Sequence, residues 1–463
     1  MINNKFIKNY LRIGKYVGIS LSILPTISGY ANSRTVHERA NNKPNVILIL
    51  ADDMGIGDIS KFNHGLTKTP NLDKLVVESL YFNNAYSAAP VCAPARASLL
   101  TGQYPHRTGC VTLNMERFPE LSRIKSGIPT MADYFRNEGY VTGLIGKWHC
   151  GMGEDYHPLK RGFDEFEGFI DPFLIKSYFE YTLNINGKNH QFNDKYLTDD
   201  LTDRALGFIK RNKDKPFFLH LAHYAPHRPL SAPDLLIDYY QKKGYNKNTA
   251  TIYAMIEIMD NGIGKLLDEL EKMKLRKNTI IVFVSDNGPD PITGERFNQD
   301  LKGTKYTVLE GGIRVPFIFN WSGQIKPGLS NELIHFTDVL PTLADICGLT
   351  IPESATLDGG SFYGILFNED YQLPEIRIWQ WNRGVPYYTH NAAIRKGDWK
   401  LVRPFINTDI PEEESSLKPQ LFNIADDPQE KNNLIDKNRE EYLTLKVLLE
   451  QKSRELEYDR LKK

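Results

Sequence analysis

Short polar clusters recur along this 463-residue chain, and their residue types suit ion and anion chemistry. Asp52-Asp53 and Asp286-Asn287 offer carboxylate and amide oxygens with no sulfur and no obligatory histidine, which is the donor set of a hard cation. Cys92 opens the stretch Cys92-Ala93-Pro94-Ala95-Arg96, followed by Ala97-Ser98-Leu99-Leu100-Thr101-Gly102. Pro94 favours an extended approach at Ala93, Arg96 to Thr101 can form a short helix, and Gly102 suits its C-terminal end. Cys92 is then expected in front of a helix N-terminus, where developing negative charge is favoured. Lys147 and His149 in Gly-Lys-Trp-His, His227 in Ala-Pro-His-Arg-Pro and Lys305 in Gly-Thr-Lys-Tyr add cations and proton carriers. Taken singly, each has a bland reading: a cysteine near a turn is usually a small apolar residue, an aspartate pair a cap, a lysine a surface charge. Two acidic clusters that both follow apolar strands make a site the better reading.

The elements that must position these groups are four short, nearly continuous apolar runs that stop abruptly at polar residues. Residues 45–51 end at Asp52, 140–145 at Gly146-Lys147-Trp148-His149, 217–222 at His223 and His227, and 279–284 at Ser285-Asp286-Asn287-Gly288. Helical patterns lie between them: 71–80 opened by Pro70, 130–137 closed by Gly139, and 249–273 with Ile252, Met255, Ile256, Met259 and Ile263 at helical spacing. This alternation predicts an α/β fold, a large mixed and mostly parallel sheet sandwiched by helices, with ligands gathering beyond the strands' carboxyl ends. After about residue 350 the texture changes to short strands at 376–381, 392–395 and 399–402, the last two joined by Lys396-Gly397-Asp398, and a charged helix over 438–460. The expected organisation is an export segment over 1–31, a catalytic domain over 44–350 and a C-terminal α+β subdomain over 351–463.

Lys5, Lys8, Arg12 and Lys15 precede an apolar run from Tyr16 to about Ile27, with small Gly29 and Ala31 placed for cleavage. Pro25 breaks that run well short of the roughly 20 apolar residues a spanning helix needs. An exported protein, periplasmic or secreted, with no stable membrane insertion after cleavage is expected. Lysine plus arginine and aspartate plus glutamate both number 57, so no overall field favours nucleic acid. Four cysteines, Cys92, Cys110, Cys150 and Cys347, are too few for a disulfide scaffold. If Cys92 is consumed chemically, at most one disulfide forms among the other three, and burial as free thiols is equally open.

The Cys92–Arg96 stretch with its trailing Ser98-x-x-Thr101-Gly102 resembles the C-x-P-x-R…S-x-x-T-G signature of type I sulfatases, in the alkaline-phosphatase-like superfamily. Gly146-Lys147-Trp148-His149 is similar to the family's G-K-W-H-L-G, with Cys150 where leucine is usual. Lys305 stands five residues before Glu310-Gly311-Gly312-Ile313-Arg314, as in the family, and His227 matches its other catalytic histidine. The resemblance runs from about Pro44 to Pro316 and resumes at Leu421-Phe422-Asn423-Ile424 with Asp427-Pro428-Gln429-Glu430 and Asn433-Leu434, an element read as structural, in which Asn423 replaces the usual aspartate.

That resemblance implies that Cys92 is oxidised to 3-oxoalanine (formylglycine) by a formylglycine-generating or anaerobic sulfatase-maturing enzyme. The hydrated aldehyde attacks sulfur with one hydroxyl, and the other later expels sulfate. It also implies one Ca2+ held by Asp52, Asp53, Asp286, Asn287 and the oxygen at position 92. On this reading Asp286 is the base for attack, His149 the base for the second hydroxyl, and His227 with Lys305 beside it the acid at the leaving oxygen. Arg96 and Lys147 steady the diol oxygens. The expected substrate is a sulfated saccharide, with His106, Arg107, Asp171, Trp381, Arg383 and His390 as candidate contacts in loops. A formylglycine phosphonate or phosphate ester hydrolase, or a non-catalytic glycan-binding protein with unmodified Cys92, are the alternatives.

Overall fold

Strand β1 (Asn45–Ala51) is buried at every position. Its Val46, Leu48 and Leu50 join one apolar core, while Ile47, Ile49 and Ala51 join the core on the opposite side. A strand apolar on both faces belongs in the middle of a covered sheet. The computed structural model describes residues 43–171, 175–294, 296–381, 391–404 and 417–462.

The remaining strands of the large sheet are β2 (Leu80–Tyr86), β3 (Val141–Lys147), β4 (Glu165–Phe169), β5 (Tyr181–Ile185), β6 (Lys188–Phe192), β7 (Phe217–Ala222), β8 (Thr279–Ser285), β9 (Phe317–Trp321) and β10 (Gly328–His335). They lie in the order β10-β2-β9-β8-β1-β7-β3-β4-β5-β6. The central run β8-β1-β7-β3-β4 is parallel. Antiparallel pairs involving β9, β5 and β6 flank it, and β10 runs parallel to β2, so the sheet is mixed and mostly parallel. One face is covered by helix α1 (Pro70–Val77) and the helices Leu197–Asn212 and Lys247–Lys272. The other is covered by α2 (Cys92–Thr101) with Met131–Asn137 and Val339–Cys347.

Two local expectations differ from the structure. The helix predicted over 71–80 stops at Val77, because Leu80 starts β2, whose Phe82, Ala85 and Tyr86 are buried between β9 and β10. Cys92 does not precede its helix but is its first residue, with Val91 as the N-cap. Pro94 fits inside the first turn because N–H groups there have no intrahelical acceptor to lose.

A second sheet, in order β11-β12-β13-β14, is built from β11 (Ile376–Gln380), β12 (Ala392–Lys396), β13 (Trp399–Arg403) and β14 (Gln420–Asn423), all antiparallel. Helix Arg439–Leu461 packs Tyr442, Leu445, Leu449 and Leu456 on one face of it. Its other face, through Trp379, Ala393, Val402 and Phe422, packs on Tyr86, Val308 and Ile313. The C-terminal sheet therefore braces the loop that carries Lys305. Among the described residues no helix is long and apolar enough to cross a membrane.

Candidate active site

Strand register brings the polar clusters together. Ala51 is level with Ser285, Leu50 with Ala222, and Ala222 with Gly146, so β1, β8, β7 and β3 release their next residues at one edge. Asp286 N–H donates to the Ala51 carbonyl and Asp52 N–H to that of Ala225, each at 3.1 Å. A side chain at Gly146 would put its Cβ 2.0 Å from the Ala222 oxygen, so only glycine lets β3 deliver Lys147 this close to β7. Asp53 and His149 take positive φ, 68° and 57°, which turns the chain sharply at the two strand ends.

Three carboxylates and three cations interlock below the surface. Lys147 Nζ lies 2.5 Å from Asp52 Oδ2, and Lys305 Nζ lies 2.7 Å from the Asp53 carboxylate. Arg96 sits one helical turn beyond Cys92 and reaches Asp286 through Nε at 2.9 Å, Asp52 through a terminal nitrogen at 3.2 Å, and the Lys147 carbonyl at 3.1 Å. Asn287 Nδ2 donates to Asp53 Oδ1 at 2.7 Å, and His227 Nε2 lies 3.7 Å from Asp53 Oδ2. Desolvated charges of this kind persist only when paired.

Two acceptors in this cluster, Asp52 Oδ1 and Asn287 Oδ1, are buried with no hydrogen-bond partner. Buried oxygens left bare call for an explanation, and an oxygen-seeking cation supplies one. One ligand atom from each of Asp52, Asp53, Cys92 and His227 lies within 4.8 Å of the others. The cluster thus fits a single metal ion.

Electrostatics sets the protonation of the groups in the cluster. Burial pushes the Cys92 thiol up, but the Lys147 and Lys305 charges outweigh it and bring the thiol down to about 7. Burial also raises Asp52 and Asp53, yet Lys147 beside the first and Lys305 beside the second hold both below the ordinary carboxylate range. Burial, reinforced by Lys147, keeps His149 well below the usual imidazole range, so its ring is neutral. All four cysteines are free and buried, and Cys150, where the family has leucine, has its thiol pushed up to about 12 by burial and packs as a small apolar residue.

A cavity of about 470 Å³ opens over Cys92, His149, His227 and Lys305, a size that suits a small organic ligand. Asp52, Asp53, Arg96, Lys147, Asp286 and Asn287 lie outside its lining and are fully or almost fully buried. The expected substrate contacts fare differently. Arg107 is committed to ion pairs with Asp358, Glu455 and Asp459, and neighbouring His106 is buried, so both serve the packing against the C-terminal helix rather than the cavity. Asp171 and Trp381 are buried and do not line the cavity, although the Trp381 ring lies 5.7 Å from that of Tyr306, which does. Arg383 and His390 fall outside the described residues. The lining also includes Leu113, Ile175, Lys176, Tyr224, Arg228 and Tyr306. Arg228 and Tyr306 adjoin His227 and Lys305, the one signal that could have found them, whereas Leu113, Ile175 and Lys176 carry no sequence pattern.

Comparison with known proteins agrees with this geometry. A family model described as Sulfatase matches residues 44–349, and one described as N-sulphoglucosamine sulphohydrolase, C-terminal, matches 304–458. The chain is 29% identical over 527 residues to N-acetylgalactosamine-6-O-sulfatase of Bacteroides thetaiotaomicron, covering 92% of this chain and 98% of that protein. It is 35% identical over 350 residues to N-acetylgalactosamine-6-sulfatase of Homo sapiens, covering 69% of this chain and 65% of that one. The crystal structure of Ps i-CgsB in complex with k-i-k-neocarrahexaose superposes with a TM-score of 0.78 at 33% identity, covering 89% of this chain and 93% of that chain. With the fold, the polar cluster and a model spanning most of the chain in agreement, this protein belongs to the sulfatase family of the alkaline-phosphatase-like superfamily and is a sulfuric ester hydrolase.

Proposed function

We propose that the chain removes sulfate esters from sulfated saccharides, with Cys92 converted to formylglycine as the nucleophile and one calcium ion held by Asp52, Asp53, Asp286 and Asn287. The observation that carries this reading is the meeting of Cys92 and His227, which line the cavity, with Asp52 and Asp53 buried beneath it, all within 4.8 Å. The names of the bacterial N-acetylgalactosamine-6-O-sulfatase and of the carrahexaose complex support a sugar substrate. Overall, water is added across the ester: the sugar oxygen leaves as an alcohol and sulfur departs as hydrogen sulfate.

A formylglycine at position 92 supplies, as its hydrate, a hydroxyl able to attack sulfur. A bound calcium ion supplies positive charge that polarises the sulfuryl group. Everything else falls to the chain's own residues. Lys147, Lys305 and Arg96 give fixed positive charge around a desolvated centre where negative charge accumulates. His149 Nε2 lies 3.0 Å from the Leu113 carbonyl, which assigns the ring proton to Nε2 and leaves Nδ1 as the basic nitrogen, consistent with the role of base for the second hydroxyl. His227 Nδ1 lies 2.5 Å from the Arg228 carbonyl and donates to it, so Nε2 is the nitrogen on the Asp53 side and the one assigned to protonate the leaving oxygen, with Lys305 beside it. Asp286, held by Arg96, is assigned as base for the attacking hydroxyl.

The same proposal includes export to the periplasm or medium with residues 1–31 removed, maturation by a formylglycine-generating or anaerobic sulfatase-maturing enzyme, and a division into a catalytic region over 44–350 and a supporting one over 351–463. Mass spectrometry of the tryptic peptide containing Cys92, from protein co-expressed with a maturation enzyme, tests it together with sulfate release from a panel of sulfated sugars. Aldehyde at Cys92 with free sulfate is expected. A thiol that persists under competent maturation, or release from phosphate or phosphonate esters alone, would overturn the reading.

A further inference from the structure

The cations at and beneath the floor of the cavity are already matched: Lys305 with Asp53, and below the lining Lys147 with Asp52 and Arg96 with Asp286 and Asp52. Two more cations, Lys176 and Arg228, line the same cavity, and among the described residues no carboxylate does. Arg228 is fixed in direction, since Asp290 holds its guanidinium at 2.8 Å and the Tyr306 hydroxyl lies 3.1 Å from it, while its side chain stays 43% exposed. Lys176 is exposed and has no ion-pair partner among the described residues. The scissile sulfate needs neither, because it meets Lys305, His227 and His149 beside Cys92. A neutral sugar ring would leave Lys176 with no countercharge, and the exposed part of Arg228 beyond its Asp290 pair facing apolar Ile175 and Pro229.

Resting on the reading above, the geometry points to a substrate with a second anionic substituent, a carboxylate or another sulfate ester, that is bound by Lys176 and Arg228 while the scissile sulfate occupies the site over Cys92. Arg228 offers the one terminal nitrogen that Asp290 and Tyr306 do not take, held in a fixed direction, and Lys176 a mobile point charge, a pairing that accepts either anion. The natural substrate is therefore a polyanionic saccharide rather than a singly sulfated neutral one.

The test compares three ligands: a monosulfated neutral sugar, the same sugar unit with a carboxylate added, and the same with a second sulfate. Matured protein and its Lys176→Ala and Arg228→Gln variants are assayed for sulfate release, and calcium-loaded Cys92→Ala protein with and without Lys176→Ala is titrated by calorimetry, so that affinity is read without turnover. The wild type should favour a dianionic ligand by about tenfold in kcat/KM and in affinity, each rim substitution should shrink that ratio severalfold through KM, and added salt should do the same. A gain for only one of the two anions identifies the group. Equal handling of all three ligands, in release or in binding, overturns the inference while leaving hydrolysis intact. Preference in binding without any sulfate release upholds the rim and sinks the hydrolase reading instead. Lys176 is exposed and its truncation opens no cavity, so the test survives if Arg228→Gln fails to fold.

Discussion

Arg96 and Asp286 stand 190 residues apart, and one carboxylate oxygen of the aspartate receives two nitrogens of the arginine, at 2.9 Å and 2.8 Å. The same guanidinium reaches Asp52 after β1 and the Lys147 carbonyl at the end of β3, so one side chain from α2 ties three strand ends together. Both side chains are at most 1% exposed. Arg96→Met removes the charge but little volume and leaves two buried carboxylates short of a partner. Breaking a buried pair in this way costs about 3–5 kcal/mol. Chemical denaturation should show the loss as a lower midpoint, larger in chelator than in calcium, because the ion offsets part of the unpaired charge. An unchanged midpoint would remove Arg96 from this structural role.

Calcium should raise the thermal midpoint even of protein whose Cys92 is still a thiol, because the bare oxygens of Asp52 and Asn287 exist before maturation. At a hundredfold excess over its dissociation constant, a ligand specific for the native state adds about 2.7 kcal/mol. Asn287→Ala deletes one bare oxygen and the hydrogen bond to Asp53. Differential scanning fluorimetry across a calcium series should require at least about tenfold more ion to reach the same shift in that variant. Identical curves would mean that Asn287 is not a ligand.

Cys92→Ala should separate chemistry from architecture. The side chain is small and 2% exposed, so its loss costs on the order of 1 kcal/mol, while hydrolysis should fall to the uncatalysed background. The calcium-induced stabilisation should persist in the same protein, since the aspartates and Asn287 are untouched. Residual sulfate release near the wild-type rate would remove position 92 from the mechanism.

The parts of this design that were readable share a physical cause. β1, β3, β7 and β8 are buried on both faces, so they stand out as continuous apolar runs, and the polar residues that end them are the site. β6 reads Lys-Asn-His-Gln-Phe and is almost wholly exposed; pairing with β5 makes it a strand, and no apolar pattern announces it. β10 mixes Ser, Asn and Glu into its run for the same reason. The floor of the site was legible because its residues sit in short motifs, but the rim was not. Lys176 is an ordinary loop lysine until the fold places it on the wall of the cavity that Cys92 also lines, and Arg107 is an attractive loop cation until Asp358 and the C-terminal helix claim it.

Asp260 gives a pH dependence whose sign can be worked out. It lies on helix Lys247–Lys272 and caps α1 from outside, accepting from the Asn71 and Leu72 backbone N–H groups at 3.1 Å and 2.7 Å. Burial raises its carboxyl to about 6 despite those donors. The folded state then binds the proton more tightly than the unfolded chain, so this group's contribution is most favourable below the unfolded value near 3.8 and declines as pH rises through about 6. The stability difference between wild type and Asp260→Asn should shift by up to roughly 2–3 kcal/mol in favour of the variant between pH 4 and pH 7. Paired denaturation curves at the two pH values measure it, and a shift in the opposite direction would show that the carboxylate is preferred in the folded state.

Glu430 connects the C-terminal region to the catalytic loop. Its carboxylate accepts the Glu310 backbone N–H at 2.7 Å and pairs with Lys400 at 2.9 Å, and Lys400 also pairs with Glu310 at 2.7 Å. Glu310 begins the Glu-Gly-Gly-Ile turn, and Gly311 N–H returns to the Lys302 carbonyl at 2.8 Å, so the segment that carries Lys305 is anchored at this junction. Glu430→Ala leaves a buried lysine with one partner fewer and a bare N–H, at a cost of about 3–5 kcal/mol, whereas Glu430→Gln keeps an acceptor and should cost less. If the junction orients Lys305, kcat/KM measured well below both melting temperatures should fall further for the alanine than for the glutamine variant, with calcium binding unaltered. Full activity in a destabilised Glu430→Ala protein would confine Glu430 to holding the two sheets together.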